Sequence, residues 1–179
     1  MTLLLHETHL IYKARILNEG LTYTARNIGM FKHTETDTLN EVLNKHRPPQ
    51  CSYDRSKAVF FSCERDYIKY GNENFENLVT VDSEALDQQK LFVFPSSMAD
   101  IVLKLFKRGS SVKTESENYW NMGFPFQFYD ENHADIDERF TSYFKELGFE
   151  DFEYCPEVLY FDNVPANLIK TYSLHAKKC

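Results

Sequence analysis

Glycine is scarce in this chain, with six residues in 179. None of the six falls in G-x-G-x-x-G spacing, so the glycine-rich turn that cradles a pyrophosphate in Rossmann domains is absent. Cysteine is scarce too: Cys51, Cys63, Cys155 and Cys179 form no C-x-x-C pair and meet no histidine at metal-ligand spacing. That argues against a zinc site, and four cysteines in a chain of this size do not make a disulfide framework. No apolar run approaches the ~18 residues of a membrane span. The N-terminus carries no basic segment followed by an apolar stretch of signal-peptide length. A reduced, cytoplasmic protein without a membrane partner is the expectation. Positive charge is also short, the formal net charge being -7. An acidic surface repels phosphate backbones, which disfavours broad nucleic-acid binding. A local basic groove stays open, with Lys104, Lys107, Arg108 and Lys113 the densest candidate; a solvated helix face accounts for them as well.

What the chain has in quantity is aromatic side chains, fifteen Phe and eleven Tyr. Large rings supply much buried area per residue, so residues 1–179 suffice for a single domain with one substantial core. No repeat, low-complexity tract or linker divides it. Leu3 to His6 reads as a buried strand, and Leu10 to Leu17 as a helix stopped by Gly20. Thr38 with Glu41 makes a capping box for a helix through Lys45, ahead of the break at Pro48 and Pro49. Ala58 to Phe61, Leu78 to Val81 and Leu91 to Phe94 read as strands, with a helical turn over Asp66 to Tyr70. Ser97 and Asp100 flank the start of a helix from Met98 to Lys107, which Gly109 ends. Ser110 to Asp135 reads as mostly irregular. Ile136 to Leu147 is a helix, Val158 to Phe161 a strand, and Ile169 to Leu174 a final strand. Strands and helices without regular βαβ alternation predict an α+β fold.

Two segments stand apart. Leu4-Leu5-His6-Glu7-Thr8-His9 is followed by Arg15-Ile16-Leu17-Asn18-Glu19-Gly20-Leu21, and Pro156-Glu157-Val158-Leu159-Tyr160-Phe161 by Asp162-Asn163-Val164-Pro165. The first resembles the opening of many ADP-ribosyltransferases, a strand ending in His-x-Thr and a helix ending in Ile-Leu-x-x-Gly-Leu. The second resembles their closing strand, which a Glu begins and a Val/Ile-Pro pair follows. Ala58 to Ser62 with its Tyr-bearing helix is similar to the family's middle strand. The resemblance is nearest to the DNA-modifying toxins paired with macrodomain antitoxins.

The resemblance implies a split, mixed or antiparallel sheet with flanking helices around an NAD cleft. NAD would be a substrate, and ADP-ribose would pass to a macromolecular acceptor, protein or nucleic acid. Cleaving the nicotinamide–ribose bond develops oxocarbenium character, which a nearby carboxylate stabilises. Glu157 is expected in that catalytic role, with His6 holding a ribose hydroxyl and Thr8 the carboxamide or the loop. Tyr67 or Tyr70 would stack on nicotinamide, and Ser62 would support Glu157. Arg55, a planar bidentate donor, is a candidate for the pyrophosphate. Each has a plainer reading: a strand-end histidine bonded to backbone, an edge carboxylate, packing tyrosines, a surface arginine. Cys155 stands where the arginine-modifying branch has Glu or Gln, so arginine is not the expected acceptor. Glu7 replaces the glycine often found between His and Thr. The alternative is a catalytically silent protein on this fold, engaging a partner through the aromatic segment Trp120 to Tyr129.

Overall fold

The computed structural model describes residues 2–23, 34–69, 75–146, 148 and 156–173. Short apolar runs with β-branched and aromatic residues form seven strands: β1 (Leu3–Glu7), β2 (Val59–Cys63), β3 (Leu78–Asp82), β4 (Leu91–Pro95), β5 (Phe124–Pro125), β6 (Pro156–Tyr160) and β7 (Ile169–Thr171). They join in one sheet, ordered β5-β4-β6-β2-β1-β3-β7. Every neighbouring pair is antiparallel. The six α-helices among the described residues are α1 (Leu10–Glu19), α2 (Thr34–Lys45), α3 (Glu64–Lys69), α4 (Ser96–Lys107), α5 (Lys113–Asn121) and α6 (Phe126–Glu146). The class is α+β, as the irregular alternation predicts.

The sheet is not uniformly zipped. β1 and β2 meet only at Leu4↔Cys63 and Leu5↔Ser62. Beyond that corner β1 follows β3 as far as Glu7, and β2 follows β6 through Val59, Phe60 and Phe61. The two half-sheets, β1-β3-β7 and β2-β6-β4-β5, therefore part along one line. Apolar packing does not part with them, since the main core also takes in Val79, Val81 and Ile169 of the first half-sheet. The main core gathers Leu4, Phe61, Val93, Val158 and the rings of Tyr119, Trp120, Phe126 and Tyr129. A separate cluster joins Leu5, Tyr67, Leu78 and Tyr172, with Phe75 packed on it.

Several boundaries differ from the sequence expectation, each for a physical reason. Residues 110–135 are not irregular. α5 presents Ser116, Tyr119 and Trp120 on one buried face, and α6 buries Phe126, Tyr129, Ile136 and Phe144, all at helical spacing. The polar residues between hid that period, and Asn132 kinks α6 (φ -124°, ψ 17°). Thr38 lies inside α2, whose first turn carries Glu35 and Asp37, acids that suit a helix N-terminus. Ser97 and Asp100 lie inside α4, which Pro95 precedes without a side-chain cap. The last strand stops at Thr171, and α3 starts at Glu64. Tyr70 and Gly71 lie outside the described residues.

α1 ends as its sequence predicts. Gly20 has φ 93°, and its N–H bonds the Ile16 carbonyl at 2.9 Å. Leu21 then exchanges backbone hydrogen bonds with Val164 at 2.9 and 2.8 Å. A Cβ at Gly20 would lie 2.4 Å from the Val164 oxygen, a backbone atom that cannot swing aside. Gly20→Ala is expected to cost more than about 1 kcal/mol in urea unfolding, from the positive φ and this clash. Gly109→Ala shares the positive φ, but its Cβ has nothing within 4 Å, so it is expected to cost less.

A polar knot fixes α3 to α6. Arg65 pairs with Asp130 at 2.6 Å, and Thr2 donates to the same carboxylate at 2.8 Å. Asp66 beside them is buried, and Cys63 donates a hydrogen bond to it. Burial raises the Asp66 carboxyl above its usual value, against the pull of Arg65. The contribution of Asp66 to stability is therefore fully present below the ordinary aspartate value of 3.8 and is lost as pH rises through the raised folded value. Asp66→Asn removes this titration. The variant's stability relative to the parent is expected to be higher at pH 7 than at pH 4, as read by denaturant midpoints at both pH values.

Candidate functional site

Side-chain alternation sorts the parting of the sheet into two faces. In β2, Val59, Phe61 and Cys63 are buried, whereas Phe60 and Ser62 are partly exposed on the other face. Opposed residues of antiparallel strands share a face. Leu5 opposes Ser62, and Phe94 opposes Glu157. The β2–β6 register, continued one residue beyond Phe61↔Val158, sets Ser62 across from Glu157. Leu5, Ser62, Glu157 and Phe94 thus form one cross-strand row. The main core stands over one end of this row and the Tyr67 cluster over the other, so Ser62 lies between two packed walls.

Glu157, at the start of β6, is the most elaborately held side chain on this face. Arg55 Nη2 donates to both of its oxygens, at 3.1 Å to Oε1 and 2.8 Å to Oε2. The Tyr119 hydroxyl donates to Oε1 at 2.7 Å. The other two guanidinium nitrogens donate as well, Nε to the Tyr119 oxygen at 3.0 Å and Nη1 to Asn40 Oδ1. The guanidinium also lies over the Phe60 ring, 4.6 Å from its centroid. Arg55 is 4 % exposed, Glu157 13 %.

The sequence builds this arrangement locally from α2. Asn40 and Asn44, four residues apart, share a helix face. Asn44 accepts from the Arg55 backbone N–H at 3.0 Å and donates to Asp54 at 2.7 Å. Asp54 caps the 3-10 turn Arg55–Lys57 by accepting from Ser56 N–H. Backbone and guanidinium of Arg55 are thus anchored to one helix. Tyr119 is fixed by stacking on Phe94, 5.1 Å between centroids at 16°. Its neighbour Trp120 donates to the Leu43 carbonyl at 2.8 Å, tying α5 to the last turn of α2.

Electrostatics follow from burial and this pairing. Desolvation disfavours the Arg55 charge, but Glu157 and Tyr119 outweigh it and hold the guanidinium protonated. Burial, then the Glu157 charge, pushes the Tyr119 phenol well above its usual value of 10.0. Asp100 on α4 is raised by desolvation first and by Glu157 next, with Lys104 and Arg55 opposing.

The other expected site residues fall in several places. His6 is one residue off the Leu5–Ser62–Glu157 row, so alternation sends its ring toward the opposite face. Its Nδ1 lies 2.8 Å from the Phe60 carbonyl, across the parting of β1 and β2. A carbonyl only accepts, so that contact places the proton on Nδ1. Thr8 donates its backbone N–H to the Asn77 carbonyl at 2.9 Å. Ser62 stands opposite Glu157 without a hydrogen bond to it. Tyr67 is 5 % exposed, packed with Phe75 and Tyr172, and its phenol is raised by burial first and by Glu7 next. Tyr70 is outside the described residues.

Arg55 is turned onto Glu157 rather than offered outward. Asn40 and Tyr119 went unread in the sequence; the Asn40/Asn44 spacing was the only local signal for the first. Tyr119, Trp120, Phe126 and Tyr129 are core residues, at most 6 % exposed. Of the aromatic segment, Phe128 is exposed, and Phe124 lines an apolar cavity of about 180 Å³ with Met122, Ile136, Arg139, Phe140 and Tyr143.

Removing Glu157 strands a buried cation. Glu157→Ala is expected to cost about 3 kcal/mol or more. Arg55→Met combined with Glu157→Leu is expected to cost less than the sum of the two single changes, because it removes both charges together. Equilibrium urea unfolding of the four proteins measures this cycle. No protein-family model, curated protein or solved structure matches the chain.

Proposed function

We propose that this chain is an NAD-dependent mono-ADP-ribosyltransferase on an ADP-ribosyltransferase-like split sheet. It would transfer ADP-ribose to a macromolecular acceptor and release nicotinamide. The observation that carries this reading is the Glu157 carboxyl group, hydrogen-bonded by Arg55 and Tyr119 at the parting of the two half-sheets. The resemblance of the chain's two ends supplies the identity of the substrate.

In the reaction the carbon–nitrogen bond between ribose and nicotinamide breaks, and its electron pair leaves on the pyridine nitrogen. A nucleophilic atom of the acceptor bonds the anomeric carbon and loses its proton. Positive charge builds on the sugar between these events, and a carboxylate already fixed beside it lowers that barrier without reorganising. Glu157 fills this role. Arg55 acts here as the partner that orients Glu157 through hydrogen bonds to both of its oxygens, in place of the expected pyrophosphate contact. His6, whose ring lies on the face opposite Glu157 with Nδ1 at the Phe60 carbonyl, does not support the expected ribose-hydroxyl role beside that carboxylate. Ser62 stands across from Glu157, and Tyr67 is packed with Leu5, Leu78 and Tyr172.

For the silent-binding alternative, Trp120, Phe126 and Tyr129 of the aromatic segment are buried, and Phe128 is the exposed ring it would rest on. Asp100 and Glu7 add negative charge around Glu157 and Tyr67 respectively. Such a rim suits the positively charged nicotinamide ring of NAD through its field.

The test is nicotinamide release from NAD, followed with labelled ADP-ribose, with and without cell extract. Glu157→Gln keeps the shape of the side chain and is expected to lower turnover at least about a hundredfold. Label on macromolecules that requires extract identifies a transferase and its acceptor class. Release without extract identifies a glycohydrolase, the same bond cleavage with water as acceptor. Wild-type turnover matched by Glu157→Gln overturns the assignment of Glu157.

A further inference from the structure

The two oxygens of Glu157 are not equivalent. Oε1 receives two donors, Tyr119 OH at 2.7 Å and Arg55 Nη2 at 3.1 Å. Oε2 receives Arg55 Nη2 alone, at 2.8 Å. A carboxylate oxygen has two in-plane lone-pair directions, so Oε1 is saturated while Oε2 keeps one. The asymmetry comes from Tyr119, whose hydroxyl is itself fixed by the Arg55 Nε donor at 3.0 Å. It accepts that N–H and so directs its own proton to Glu157. Asn40, accepting from Nη1, stops the guanidinium from rotating about its long axis. Tyr119 is fully buried and Asn40 3 % exposed, so water does not substitute for either.

We infer that Tyr119 and Asn40 are positioning residues that dedicate Glu157 Oε2 to the substrate. Tyr119 occupies Oε1, Asn40 fixes the guanidinium that holds both oxygens, and Oε2 presents its open lone pair to a ribose hydroxyl. Neither residue touches substrate. The inference rests on the transferase reading and deepens it. Losing the Tyr119 hydroxyl frees the carboxylate to rotate and share its lone pairs, which misplaces the anion in the transition state more than it weakens ground-state binding. The signature is therefore in kcat rather than in KM.

Tyr119→Phe keeps the ring that stacks on Phe94, and Asn40→Leu keeps a similar volume on α2. Tyr129→Phe is the control, since that tyrosine is equally buried but donates to Asp137 at 3.1 Å, away from Glu157. NAD turnover is measured for all four proteins, with folding checked by near-UV circular dichroism and the emission of the lone Trp120. The expected result for Tyr119→Phe is a kcat lower by about 10–100-fold, with KM for NAD within about twofold of wild type. Asn40→Leu should fall in the same direction, and Tyr129→Phe should match wild type. A folded Tyr119→Phe with wild-type kcat overturns the positioning role and leaves the transferase reading standing. If Tyr119→Phe does not fold, a folded Asn40→Leu with wild-type kcat does the same, and its selective loss of kcat supports the role. A kcat loss in Tyr129→Phe as large as in Tyr119→Phe also overturns it. A folded wild type that never releases nicotinamide overturns the transferase reading and this inference with it.

Discussion

The structure around the parting of the sheet depends on one buried ion pair, Arg55 with Glu157. Its partners come from four separate places: Asn40 and Asn44 on α2, Arg55 in the turn before β2, Tyr119 on α5, and Glu157 at the head of β6. A charge in a dry site must be paired and its remaining donors satisfied. Each of those elements is thereby constrained to one position relative to the others. The rings of Phe60 and Phe94 close the space between them. The covering of β4 and β6 by α2, α4 and α5 is in this sense organised around a guanidinium rather than around apolar packing alone.

The parting itself follows from competition for partners. β1 satisfies its backbone along β3 over five residue pairs, and β2 along β6 over three. Little is left to bind the two to each other beyond the corner at Leu4 and Leu5. Twisted half-sheets with their own backbone partners diverge from such a corner. The His6 ring, reaching the Phe60 carbonyl, replaces a ladder bond where the strands have separated. A histidine at the end of the first strand is then a structural tie between β1 and β2.

The strands other than β5 and the helices α1 and α4 were legible because their signals are local: short apolar runs, a 3.6-residue period, a glycine with positive φ. α5 and the first half of α6 were not. Their buried positions are aromatic, spaced by threes and fours among polar residues, and a dense run of rings between Trp120 and Tyr129 resembles a loop when the period is not counted. At the site, Glu157, Ser62 and Arg55 could be singled out by residue type and position. The partnership of Arg55 with Glu157 could not, since 102 residues separate them in sequence. Tyr119 and Asn40 carry no chemical mark until the fold brings them to the guanidinium. A tyrosine beside a tryptophan and an asparagine on an amphipathic helix read as core and surface.

Stability alone does not account for an ion pair at this place. Removing two charges from water costs several kcal/mol each, and a well-packed apolar pair of equal volume commonly does as well or better. The surroundings would accept such a pair, since Phe60, Phe94 and the Tyr119 ring already line the space. What an apolar pair would lack is an oxygen acceptor of fixed direction on this face of the sheet. Glu157 is more exposed than Arg55, Asn40 or Tyr119. The buried part of the network thus lies behind the carboxylate, and the carboxylate lies toward solvent. An arrangement that buries the cation and leaves the carboxylate the more exposed partner suits a ligand that carries or develops positive charge.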